Sequence, residues 1–369
     1  MKRYRSIILH VGLSKTGTTS IQNNCQFRHH ELLARCGYHY ASFRCDGKLR
    51  PNHGGPITAA LFDNPDRYGP DWRASIEADP AYVQRTFRSY FRDLLRKPKA
   101  ENLVLSGEVL SRYRVPDLEM LRDRLLPHTE RLRTLVYLRS PLGFIESVTQ
   151  ARTRAGRSVT PGSLVGLMSM RYARLRHVFG ERLETHNYDA CSRSSLGLVG
   201  SFLETCGLPR DTVEALEFST HNRRISMEAF LIMEAINTRL PRSANDHGFQ
   251  RQKRDMKSLS SLPGRDFRLH DFVQSPDYSR ACAEKSELEG HLGMQFDDLR
   301  LERPADLWQF DTLAALERSV KGLEEPELRQ AAVDYLGSVA DGLAYERPQT
   351  STILSFVRRC IVDNDDSLT

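Results

Sequence analysis

The stretch Ile7-Ile8-Leu9-His10-Val11-Gly12-Leu13-Ser14-Lys15-Thr16-Gly17-Thr18-Thr19-Ser20 decides the fold. An apolar strand, Ser6–Val11, runs into a glycine-flanked loop and then into a segment opening on hydroxyls. A helix is predicted there from about Thr18 to Cys36, with Gly37 as its C-terminal stop. Such a loop aims successive backbone N–H groups and a helix N-terminus at one point, which suits a phosphate. Working outward, short apolar runs alternate with longer amphipathic stretches through the first half of the chain. That is the pattern of an α/β domain with a parallel sheet. Further strands are predicted at Asn102–Leu105 and Thr134–Leu138, with a weaker one near Leu183–Asn187. A helix is predicted from Leu142 to about Arg154, burying Leu142, Ile145 and Val148 at a spacing of three. Units of this kind place ligands at the carboxyl ends of the strands.

The chain has 369 residues, enough for one large domain or two ordinary ones. With 40% hydrophobic and 27% charged residues it has a globular composition, which excludes a disordered chain. No run reaches the roughly 18 consecutive apolar residues of a membrane-spanning helix. Ile7–Val11 is too short for a signal-peptide core and leads into a Gly/Lys/Thr loop, so a soluble, cytoplasmic protein is expected. Lysine and arginine number 53 against 47 acidic residues, a net charge of +6. That is too sparse for a dedicated nucleic-acid binder and compatible with a polyanionic small ligand. The seven cysteines (Cys25, Cys36, Cys45, Cys191, Cys206, Cys282 and Cys360) form no Cys-x-x-Cys pair. Their odd number and scattered spacing point to reduced thiols, not a disulfide framework or a zinc site.

Set against the nucleotide-triphosphate loop G-x-x-x-x-G-K-[ST], Gly12 and Gly17 have the right separation and Thr19 takes the hydroxyl position. The lysine position, however, holds Thr18, and the lysine has moved forward to Lys15. Ser14-Lys15-Thr16-Gly17-Thr18-Thr19 resembles the 5′-phosphosulfate loop of sulfotransferases that use 3′-phosphoadenosine 5′-phosphosulfate (PAPS). The fuller form from His10 through Gln22 is similar to that of bacterial members. A second element agrees. The strand ending Tyr137-Leu138-Arg139-Ser140-Pro141 is followed by a helix carrying Ser147, and Arg139 and Ser147 resemble the family's 3′-phosphate pair. Arginine offers a fixed fork of donors to phosphate, and a helical serine adds one neutral donor. Two phosphate-type sites on adjacent strand ends suit one ligand with phosphates at both ends. The resemblance covers roughly residues 1–240 and implies a P-loop NTPase-like central parallel sheet flanked by helices.

What the resemblance implies is sulfuryl transfer from PAPS to a hydroxyl acceptor, a carbohydrate or a small metabolite. Lys15 would stabilise the leaving oxygen, and the amides of Thr16, Gly17 and Thr18 with the hydroxyls of Thr18 and Thr19 would hold the 5′-phosphate. No metal is expected. The acceptor hydroxyl needs a base. Glu108, just past the second strand in Ser106-Gly107-Glu108, is the first candidate; it alternatively caps a short helix or pairs with Arg112. His53, in the Gly/Pro-rich loop Arg50-Pro51-Asn52-His53-Gly54-Gly55-Pro56, is the second. His10, inside the first strand, reads as a packed core histidine. Rival readings are a P-loop ATP-dependent kinase and a non-catalytic nucleotide-binding protein.

The rest carries weaker signals. His221-Asn222-Arg223-Arg224-Ile225-Ser226 is similar to a segment of bacterial relatives, but Ser226 also fits a helix N-cap with Arg223 and Arg224 solvated. Tyr188 and Asp189 match a Tyr-acidic pair of the family with no decided role. Residues 241–275 form a basic surface loop or a lid, and 276–369 a helical C-terminal elaboration of the same domain. There Pro326 opens a helix with the apolar stripe Leu328, Ala331, Ala332, Tyr335, Leu336, Val339 and Leu343.

Overall fold

A run such as Ile7-Ile8-Leu9 has no polar residue to turn toward water, so it is stable as a strand only with both faces covered. In the computed structural model these residues lie in β1 (Tyr4–His10), each at most 1% exposed. The structure describes residues 3–69, 72–73, 79–218, 224–240, 256–297 and 306–363. β1 lies between β5 (Asn102–Ser106) and β6 (Thr129–Leu138). With β2 (Tyr38–Tyr40) and β7 (Leu183–Asn187) outside them, the order is β2-β5-β1-β6-β7, all parallel. His10 is in register with Ser106 on one side and Leu135 on the other, which brings the loops after β1 and β5 side by side. A separate antiparallel hairpin joins β3 (Phe43–Cys45) to β4 (Lys48–Arg50).

The predicted parallel sheet flanked by helices is therefore present. The helices are α1 (Thr18–Asn23), α2 (His30–Arg35), α3 (Gly54–Leu61), α4 (Pro80–Arg96), α5 (Val115–Leu125) and α6 (Pro141–Arg154). They continue with α7 (Leu167–Phe179), α8 (Tyr188–Arg193), α9 (Gly197–Cys206), α10 (Arg210–Glu214) and α11 (Met227–Arg239). One face of the sheet, including Ile8, Val104, Leu135 and Tyr137, packs with Ile21 of α1 and with Phe202 and Leu203 of α9.

Two predicted boundaries differ. The single helix expected over Thr18–Cys36 is split, because Asn24–Arg28 forms a wider i→i+5 turn closed by His29 N–H on Asn24 O at 2.9 Å. Asn24 Nδ2 also donates to Ser20 O at 2.8 Å, the kind of local side-chain bond that competes with helix continuation. β6 begins at Thr129, not Thr134, since Glu130 and Arg131 face water and give no apolar signal.

The chain divides into two compact units that interleave along the sequence instead of following it in order. The first, 1–141 with 166–221 and 283–297, holds the sheet. The second, 142–165 with 222–282 and 298–369, is helical: α11 packs with Pro326–Leu343, which packs in turn with Pro348–Asp363. Ser226 does cap α11, accepting Ala229 N–H at 3.1 Å. Arg224 is not simply solvated, since it lies 3.6 Å from the buried carboxylate of Glu146. In the C-terminal stripe Leu328, Ala331, Ala332 and Leu336 are buried, joined by Val333 and Ala340, while Tyr335, Val339 and Leu343 are only half-buried. His221, Asn222, Arg223 and residues 241–255 of the basic segment lie outside the described residues. No helix among the described residues is long and apolar enough to cross a membrane.

Candidate functional site

The loop after β1 is knitted from within. Thr16 Oγ1 donates to Leu13 O at 2.6 Å and Thr18 Oγ1 to the same oxygen at 3.3 Å. These hydroxyl protons are thus engaged inside the loop, whereas Thr19 is exposed. Gly17 opens α1 with φ 69°, and a Cβ there would run into Leu198 Cδ2. The left-handed backbone favours glycine, and any side chain there would also have to displace the tip of Leu198. Lys15 also has a positive φ, 67°, uncommon for a side-chain-bearing residue and a form of strain that collects at functional sites. Among the described residues, the backbone N–H groups of Ser14, Gly17, Thr18 and Thr19 make no backbone hydrogen bond, while Ser14-Lys15 form a tight turn. A run of donors without backbone partners is the chemistry of an anion cradle.

Arg139, at the end of β6 and 8% exposed, donates from Nη1 to Lys15 O at 3.1 Å. Its guanidinium also lies 5.1 Å from the centre of the Tyr188 ring. Asp189 accepts Ser140 N–H at 3.4 Å, so the Tyr-acidic pair braces the loop after β6. Ser14 Oγ accepts from Arg171 of α7 at 3.3 Å, a contact the sequence reading missed. Nothing distinguishes Arg171 from the other arginines of that helix until the fold brings it to the loop. Ser147 is half-buried on α6, within the second unit.

Glu108 opens a short 3₁₀ turn, Glu108–Arg112, directly after β5. A Cβ on Gly12 would sit 3.6 Å from Glu108 Cα, so the carboxylate-bearing residue abuts the phosphate-type loop. Among the described residues no ion pair joins Glu108 to Arg112: in this 3₁₀ turn, with three residues per turn, positions four apart do not stack. Both instead line a cleft of about 400 Å³ together with Arg50, Pro51, Asn52, Pro56 and Val109.

His53, the second base candidate, is packed inside the protein and does not line the cleft that Glu108 lines. It is fully buried against Tyr40 and Phe43, and its Nδ1 accepts Ser106 N–H at 3.0 Å. The ring's lone pair is thus committed to β5, and burial pushes its pKa down to about 3. The Gly/Pro-rich sequence around His53 shows nothing of the backbone-to-backbone approach of Gly54 and Gly107. A Cβ on Gly107 would lie 2.7 Å from Gly54 Cα, next in the chain to the buried His53. His10 is the packed histidine expected, its Nδ1 2.8 Å from Ser106 Oγ and its pKa lowered by burial to about 3.

The loop Ser14–Thr19, Arg139 and Glu108 thus share the carboxyl edge of the sheet. No family model and no curated protein matches the chain. A crystal structure of a sulfotransferase from Alicyclobacillus acidocaldarius aligns with 59% of this chain and 87% of its own, at 16% identity and a TM-score of 0.37. No group of three or more His, Cys, Asp or Glu side chains among the described residues is placed to hold a metal ion.

Proposed function

We propose that the protein transfers a sulfuryl group from PAPS to a hydroxyl acceptor, a carbohydrate or another small metabolite. The observation that carries this reading is the run of N–H groups around Lys15 that make no backbone hydrogen bond, with Glu108 against the same loop. In it the amides of Thr16, Gly17 and Thr18 hold the 5′-phosphate, aided by the Thr19 hydroxyl. Arg139 is assigned to the 3′-phosphate. The acceptor oxygen attacks sulfur in line as the S–O bond to the 5′-phosphate breaks, and the electron pair leaves on the phosphate oxygen. Lys15 stabilises that developing charge, and the acceptor's proton passes to the Glu108 carboxylate. Positioning and electrostatics supply most of the acceleration, as in phosphoryl transfer.

Thermal-shift titration with the desulfonated product nucleotide, beside ATP–magnesium, tests the reading. The product nucleotide is expected to raise Tm. Strong stabilisation by ATP–magnesium and none by the product nucleotide overturns it in favour of a kinase.

A further inference from the structure

Among its described lining residues, the cleft beside Glu108 has more cationic than anionic side chains. Two guanidinium groups, Arg50 and Arg112, line it against one carboxylate. Arg112 has no ion pair among the described residues, and its Nη2 is steered by a bond to Tyr68 O at 2.8 Å. Tyr68 is in turn fixed by its hydroxyl on the buried Asp117, which also accepts Arg67 Nη2 at 2.6 Å. Arg50 is held from the hairpin side by Nη2 on Arg73 O at 3.1 Å. Asn52 spends its Oδ1 on Gly54 N–H at 2.9 Å, which fixes the orientation of its amide at the cleft wall. Leu49, Pro51, Pro56 and Val109 supply an apolar lining suited to a sugar ring.

Resting on the sulfuryl-transfer reading, we infer that the acceptor is a hydroxyl compound of sugar-ring size that also bears an anionic group, a carboxylate or a sulfate ester. Arg112 and Arg50 receive the anion, which directs a hydroxyl toward Glu108. Oriented guanidinium forks recognise either oxyanion through paired N–H donors.

Isothermal calorimetry with the full chain saturated in product nucleotide would compare methyl glucoside, methyl glucuronide and a sulfated methyl glucoside. Tighter binding of an anionic member than the neutral one by about tenfold or more supports the inference, and the two anionic arms separate carboxylate from sulfate. Arg112→Gln and Arg50→Gln should each erase that preference, whereas Arg112→Lys should restore part of it. Neutral binding equal to or tighter than anionic binding, or no binding of any member, overturns the inference. Stabilisation by product nucleotide is measured on the same samples. If it holds while the anion preference fails, this inference alone falls; if it is absent, the sulfuryl-transfer reading falls.

Discussion

Lys15 and Glu108 approach one loop from different strands, and the proposed roles make different demands on them. Lys15→Ala should lower kcat by about a hundredfold or more by removing charge stabilisation at the leaving oxygen. Nucleotide binding should persist, because the backbone amides remain; single-turnover transfer beside a nucleotide titration checks both. Glu108→Gln keeps the shape and removes the base, so transfer should fall by about 10²–10⁴-fold with an unchanged Tm. Full transfer in either variant would remove that residue from the mechanism. The sequence showed Glu108 and His53 as rival bases because burial is not written locally. The structure distinguishes their settings: His53 is buried with its Nδ1 on Ser106 N–H, whereas Glu108 lines the cleft.

Among the elements, the β1–α1 turn and the α5 start are the most sharply constrained. Gly17→Ala meets both a positive φ and the Leu198 side chain, and should cost about 1–3 kcal/mol in denaturant unfolding as well as impair nucleotide binding. Asp117 is 4% exposed and holds Arg67 and Tyr68. Asp117→Asn should destabilise the chain by about 2 kcal/mol, read from the shift in urea midpoint. β1 and the loop after it were legible in sequence because a continuous apolar run followed by glycines and hydroxyls has few alternative readings. β2 was not, since Tyr38-His39-Tyr40 is too short for periodicity to register. The split between α1 and α2 left no trace either, because a widened turn changes hydrogen bonding without changing residue types.

At the scale of the whole molecule, buried histidines contribute to the response to acid. His10 and His53 have folded pKa values near 3 against 6.5 in the unfolded chain, and His39 is lowered to about 4, all chiefly by burial. Protonation therefore favours the unfolded state. The stability these groups contribute is fully present above pH 6.5 and is lost as pH falls toward their folded values. The slope approaches about 1.4 kcal/mol per pH unit for each histidine between its two pKa values. Chemical denaturation should show a level midpoint from pH 7.5 to about pH 6.5 and a fall from there to pH 4.5, shallower in His10→Gln; a flat profile down to pH 4.5 would contradict the packing described for them. The division into interleaved units was hidden from the sequence for a related reason: contacts between distant segments, such as Glu284 accepting Ser169 N–H at 3.1 Å, carry no local signature.

The bond from Arg139 to Lys15 O reaches further than its single distance implies. A peptide unit is planar, with its C=O and N–H pointing in opposite directions in the trans form. Anchoring the carbonyl of Lys15 toward β6 therefore turns the N–H of Thr16 the other way, like the two ends of a rocker. A side chain read in the sequence as a ligand contact also sets the direction of a backbone donor one strand away. Losing Arg139 would free that rocker to tip, presenting an oxygen where an anion needs a proton.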